Sequence, residues 1–228
     1  MMKIIRNIIG LFAIAAIAIT ACKKDNYEAP ESMLTGRVVY QSTPIGLRSN
    51  GVQLELWQHG YDFFSKIPVY VAQDGSFSAR LFDGEYLLTR QRGVGPWADN
   101  TDSIKITVKG NTVVDVPVDP YFLVKSAAYQ RNNLTVTSTV NIQRVNTTKN
   151  LEFVKLYIYK TALVDELNQD AATVVPAANI QDINQQLTIT ATIPASLANG
   201  EAVYARVGVK TIGVPELAYS APEKIQLK

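Results

Sequence analysis

Asp74-Gly75-Ser76-Phe77-Ser78-Ala79-Arg80-Leu81-Phe82-Asp83-Gly84-Glu85-Tyr86-Leu87-Leu88-Thr89-Arg90 holds two short runs, 77–82 and 86–90, each introduced by an Asp-Gly pair. Asp and Gly tolerate the positive φ or tight turn that a chain reversal needs. The runs themselves show the period-two alternation of strands with one face in a core. The same punctuation extends outward in both directions. Segments 34–40, 52–58, 67–71, 104–109 and 113–118 read as strands, with Gly36, Asn50-Gly51 and Gly110-Asn111 at or between their ends. No helix-period segment of useful length interrupts these seven strands.

At Asp119-Pro120 the proline removes a ladder donor and restrains its predecessor, which marks a boundary. Beyond it 121–128, 134–144, 151–160, 187–193, 203–210 and 223–227 read as further strands. Residues 161–184 are Ala- and Asp-rich, with a short helix expected around 163–167. The expectation is an all-β chain of two tandem β-sandwiches, residues 33–119 and 120–228, the second with the size of an immunoglobulin-like domain.

The N-terminus has a different character. Lys3 and Arg6 precede an apolar run of 12 residues, 8–19, shorter than the roughly 20 needed to span a bilayer and suited to a signal-peptide core. Ile19-Thr20-Ala21-Cys22 follows. Residues 1–22 are read as a signal peptide and 23–32, polar and containing Pro30, as a tether. Cys22 is the chain's one cysteine, so no internal disulfide can form.

Ile19-Thr20-Ala21-Cys22 resembles the bacterial lipobox, which implies that Cys22 receives diacylglycerol and becomes the membrane anchor. Lys23 at the next position favours the outer membrane, and Cys22-Lys23-Lys24-Asp25-Asn26 resembles in part the surface-export tether of Bacteroidetes lipoproteins. Thr35-Gly36-Arg37-Val38, Asp74-Gly75-Ser76-Phe77 and Asp83-Gly84-Glu85-Tyr86 resemble the carboxypeptidase-regulatory, transthyretin-like sandwich, a seven-stranded structural or adhesive module. Residues 193–207 are similar to the E-to-F passage of fibronectin type III domains, with Tyr204 as the corner tyrosine whose hydroxyl bonds back to the preceding loop. Taken over its full length the chain resembles a Bacteroidetes lipoprotein family of unknown function that tends to be encoded beside SusC/SusD-type glycan-uptake systems. That resemblance implies an accessory protein of the outer membrane, exposed at the cell surface, with a SusC/SusD-like complex as partner.

The residue inventory narrows the chemistry. Without Lys3 and Arg6 the chain carries 20 basic and 20 acidic side chains, so nothing favours a phosphate backbone as partner, and nucleic acid is excluded. His59 is the sole histidine and no Gly-x-Ser-x-Gly elbow exists, which leaves a nucleophile–base dyad without members and zinc without ligands. Asp74, Asp83, Asp99 and Asp102 sit in turns and Glu55 and Asp115 point outward on strands, the ordinary solvated pattern. Asp99-Asn100-Thr101-Asp102 lacks the ligand density of a calcium loop. The expectation is a protein without enzyme activity, metal or cofactor.

Aromatic side chains carry the remaining signal, because sugar rings stack their C–H faces on flat side chains. Val52, Leu54 and Leu56 share one strand face, which sets Trp57 on the other with Gln53 and Glu55. Tyr61, Phe63 and Phe64 follow closely, and Trp97 lies in a turn-rich loop where a tryptophan is hard to bury. Trp57, Tyr61 and Trp97 are the candidate glycan-binding residues. On strand 151–160, Phe153, Tyr157 and Tyr159 form a second aromatic face that fits an interdomain or partner interface equally well. Oligosaccharide binding or scaffolding within a polysaccharide-uptake system is the first functional expectation. The alternative is a purely structural or adhesive surface module docked to a protein.

Overall fold

The computed structural model describes residues 28–60 and 64–228. Cys22, Tyr61 and Phe63 lie outside the described residues, and so does the signal segment. From Glu31 onward the chain forms one compact unit.

Nine strands occupy the first half: β1 (Ser32–Tyr40), β2 (Thr43–Pro44), β3 (Gln53–Trp57), β4 (Ile67–Tyr70), β5 (Ser76–Leu81), β6 (Gly84–Arg90), β7 (Ile104–Val108), β8 (Asn111–Val113) and β9 (Val116–Pro117). One sheet runs β2-β1-β5, with β8 and β9 also on β1, and the other runs β4-β3-β6-β7. The stretch that opened the sequence reading supplies β5 to one sheet and β6 to the other, so Phe82-Asp83 is where the chain changes sheets. Alternation does the rest. Leu54 and Leu56 on β3, Leu88 on β6 and Leu34 and Val38 on β1 are fully buried in one core. Each such side chain contributes about 1.5–3 kcal/mol by leaving water.

Two details differ from expectation. The expected strand 113–118 is broken into β8 and β9, both parallel to β1. Between them Val114 N–H bonds Thr35 O, and Val114 O packs so close to Gly36 that a Cβ there would collide with it. Because β8 lies beside Met33–Thr35 and β9 beside Val38–Val39, the chain leaves this half at the end opposite the one where it entered. The expected tether also ends earlier, since Ser32 already pairs with Leu81.

The second half contains β10 (Phe122–Asn132), β11 (Thr135–Arg144), β12 (Leu151–Tyr159), β13 (Ala171–Pro176), β14 (Leu187–Thr192), β15 (Ala202–Thr211), β16 (Ala218–Tyr219) and β17 (Glu223–Gln226). Its sheets are β10-β11-β14 and β13-β12-β15-β16, with β17 added to β15. Val136, Val140 and Ile189 of the first face Val154, Leu156, Ile158 and Val203 of the second across one core. Among the described residues the chain is all-β, with a single 3-10 turn at Ala177–Asn179.

No helix forms at 163–167. Asp165 is buried and its carboxylate accepts the Leu167 and Asn168 backbone N–H groups, at 2.9 Å each, which holds the segment as a turn. A short acceptor that bonds its own following backbone competes with the helical ladder. The next residues, unassigned from sequence, form β13 against β12.

The halves are joined by a buried guanidinium. Arg206 on β15 has no solvent exposure, and donates to Ser220 O at 2.7 Å, Leu47 O at 2.9 Å, Gln73 O at 3.1 Å and Val164 O at 3.4 Å, with its plane 4.4 Å from the Tyr219 ring centroid. Burial pulls its pKa down to about 10, against the partial compensation of the Tyr219 and Asp165 fields. Leu47 and Gln73 belong to first-half loops, so one side chain spans both cores. Arg48 pairs with Glu216 beside it, and Tyr219 N–H bonds Gly46 O at 2.9 Å.

Candidate functional site

Trp57 closes β3 on the face away from the core, as the alternation requires. Its indole Nε1 donates to Thr89 Oγ1 at 3.1 Å, which fixes the ring over β6 instead of leaving it to swing. Phe64 lies 5.3 Å from it, tilted by 36°, and His59 stacks on Phe64 at 4.7 Å and 24°. Phe64 is 51% exposed and His59 is exposed, so three flat side chains form a continuous tier on the surface. The signal for Phe64 was present in the sequence cluster after β3, but parity could not place it, because it stands outside any strand.

Trp57 borders two open clefts. One, of about 490 Å³, is bordered by Glu55, Thr89, Arg90, Arg92, Asn100 and Thr101. The other, about 300 Å³, is bordered by His59, Glu85, Tyr86, Leu87 and Lys105. Glu55 accepts Lys66 Nζ at 2.6 Å. Arg90 is buried, with its guanidinium on Pro117 O at 2.8 and 3.0 Å and on Asp102 O at 3.3 Å, and burial lowers its pKa. The arrangement offers flat apolar faces edged by hydrogen-bonding groups, the elements that recognise a pyranose.

Trp97 does not belong to this surface. The sequence reading placed it in an exposed loop, whereas it is 3% exposed and part of the first core. The reason lies two residues earlier: Gly95 lacks a Cβ, and one built there would overlap the indole. Trp97 then bridges to Pro120, Ala98 N–H bonds Asp119 O at 2.9 Å and Tyr121 N–H bonds Pro96 O at 3.1 Å, so the loop is sewn to the segment that connects the halves. A Gly immediately before Pro-Trp was the signal available.

Tyr204 packs half-buried beside Tyr157, Val164, Leu217 and Tyr219 and makes no hydrogen bond to the preceding loop. The tyrosine that does bond back is Tyr86, whose hydroxyl donates to Phe82 O at 3.0 Å. Tyr157 is fully buried, burial and the neighbouring Tyr219 raise its pKa, and the aromatic face of β12 packs against Val164, Leu217 and Tyr219 of the second half itself. Two of the turn acids are tied to backbone, Asp74 accepting Ser76 N–H at 3.0 Å and Asp99 accepting Gly93 N–H at 2.7 Å, while the Asn100 amide oxygen accepts the Asp102 N–H at 2.6 Å. Among the described residues no cluster of three or more His, Cys, Asp or Glu is placed to hold a metal ion. Arg206, which the sequence reading missed, serves the junction and not this surface.

Residues 32–119 match the N-terminal domain of DUF3823, a protein family of unknown function, and residues 122–224 match its C-terminal domain. The chain belongs to the DUF3823 family. A DUF3823 family protein from Bacteroides ovatus shares 38% identity with it at a TM-score of 0.80, covering 86% of this chain and 100% of that one. Another, from Parabacteroides merdae, shares 34% at a TM-score of 0.80, covering 87% and 100%. A Bacteroides uniformis structure provisionally named as a carbohydrate binding protein is similar to this DUF3823 chain at 18% identity and a TM-score of 0.71, covering 87% and 100%. That last likeness concerns the fold alone. No curated protein matches.

Proposed function

We propose that this DUF3823 protein is a non-catalytic outer-membrane lipoprotein, held by an acylated Cys22, that binds oligosaccharide as an accessory of a polysaccharide-uptake system. The single observation behind the ligand class is the surface tier of half-buried Trp57 with exposed Phe64 and His59, with Trp57 locked to Thr89 and bordering two clefts edged by hydrogen-bonding groups. Stacking on a ring already held in place costs little ordering entropy, which suits weak, repeated contacts along a polymer. The provisional carbohydrate-binding name of the Bacteroides uniformis protein of the same fold agrees with this reading. Residues 19–22 with Lys23 support the anchor and its membrane, and a SusC/SusD-like complex is the proposed setting.

Titration of the full-length chain, purified in detergent, against a panel of soluble polysaccharides tests the proposal. At least one should bind, and Trp57→Ala should weaken it by about tenfold or more, about 1.4 kcal/mol. If no polysaccharide binds, or if Trp57→Ala leaves binding unchanged, the glycan reading fails. The rigid module docked to a protein partner, which the Arg206 junction favours, then takes its place.

A further inference from the structure

Charge around Trp57 narrows the ligand class, on the premise that the tier is the glycan surface proposed above. We infer that the site takes an anionic oligosaccharide, with a carboxylate or sulfate substituent of the sugar seated on the Arg92 guanidinium while a ring stacks on Trp57.

The cleft bordered by Trp57 is lined by one acid and two arginines. The acid is spoken for, since Glu55 is paired with Lys66 at 2.6 Å and so presents no net negative charge to an incoming anion. Arg90 is buried beneath the cleft and bonds the carbonyls of Pro117 and Asp102, and the nearby Asp102 carboxylate offsets part of its charge, which leaves Arg92 as the cation open to a ligand. Arg92 stands exposed at the mouth and has no hydrogen-bond or ion-pair partner among the described residues. Asp99, the acid nearest to it in the loop, is turned onto the backbone N–H of Gly93. A guanidinium presents a planar fork matched to carboxylate and sulfate oxygens and is weakly hydrated, so it binds such groups with little desolvation cost. Asn100 and Thr101 on the same rim supply hydrogen-bonding groups for neutral hydroxyls. The second cleft bordered by Trp57 holds Lys105 and Glu85 together, so the unpaired positive charge lies on the Arg92 side.

The test compares anionic polymers with their neutral backbones, using the full-length chain in detergent. Polygalacturonate is set against its carboxyl-reduced form, and dextran sulfate against dextran. Either anionic polymer should bind about tenfold more tightly than its neutral counterpart, with the advantage falling as salt is raised. Arg92→Met should erase that preference while leaving the weak neutral binding in place, whereas Trp57→Ala should reduce both. Preference for polygalacturonate alone assigns a carboxylate, and for dextran sulfate alone a sulfate. Equal binding of charged and neutral polymers, or a preference that survives Arg92→Met, overturns this inference and leaves the stacking surface standing. Absence of binding to all four polymers overturns it together with the glycan reading.

Discussion

Replacing Arg206 by Met tests the account of how the two halves are joined. Methionine nearly fills the stem's volume, so the change removes the guanidinium without opening a large cavity. Four carbonyls then lose a donor. Gln73 O keeps the Leu47 N–H at 3.1 Å, and Val164 O was only 3.4 Å from the guanidinium, so neither loses much. Ser220 O and Leu47 O are left without their buried donor, at about 1–3 kcal/mol each. Relief from burying a charge, which the lowered pKa of Arg206 records, offsets part of that. A net loss of about 3 kcal/mol is expected, and for a folded unit of this size that lowers Tm by about 6–12 °C. Urea denaturation followed separately by tryptophan fluorescence, which reports the first half because it carries both Trp57 and Trp97, and by far-UV circular dichroism supplies the assay. The wild-type chain should unfold in one coincident transition, and the Arg206→Met chain should show the two probes separating as the halves lose their coupling. A change below about 0.5 kcal/mol with the probes still coincident would refute the idea that this guanidinium couples the cores.

Two predictions concern single residues. Trp97→Ala should destabilise the chain by about 3–5 kcal/mol, as expected for emptying a buried tryptophan site, while any polysaccharide affinity measured at a temperature where it stays folded is unchanged; a selective loss of affinity would return Trp97 to the binding surface. Asp83 accepts the Ser32 hydroxyl and the Gly110 N–H at 3.1 Å, and these bonds hold its carboxyl below the ordinary 3.8. Its contribution to stability is therefore complete above about pH 4 and lost as the pH falls through the lowered value. Asp83→Asn should flatten the acid limb of the stability profile, and an unchanged slope would show that the bonds carry no weight.

How far the sequence revealed this molecule depended on whether one face of an element or two were covered. β3, β5, β6 and β11 bury one face, so alternation located them to within a residue or two and put Trp57 correctly outside. β15 buries both. Val203, Ala205, Val207 and Val209 face the second core as expected, but Arg206 and Gly208 point to a side that parity assigns to water and that the 161–169 turn, Tyr219 and the first-half loops cover instead. A covering made by distant loops leaves no periodic trace. Trp97 was misjudged for a related reason, since its burial comes from the space left by Gly95 and not from any strand register. At the surface tier, Trp57 was legible from β3, whereas Phe64 and His59 are placed by ring contacts that spacing does not encode.

The parallel pairing of β8 and β9 with β1 has a mechanical consequence. A pull applied at Ser32 and resisted through Pro117 and the second half would draw neighbouring strands past each other along their length. The hydrogen bonds on Met33–Thr35 and Val38–Val39 would then share the load at once instead of parting one by one. A module built this way resists tearing at β1 whenever tension passes from the N-terminal side of the first half into the second.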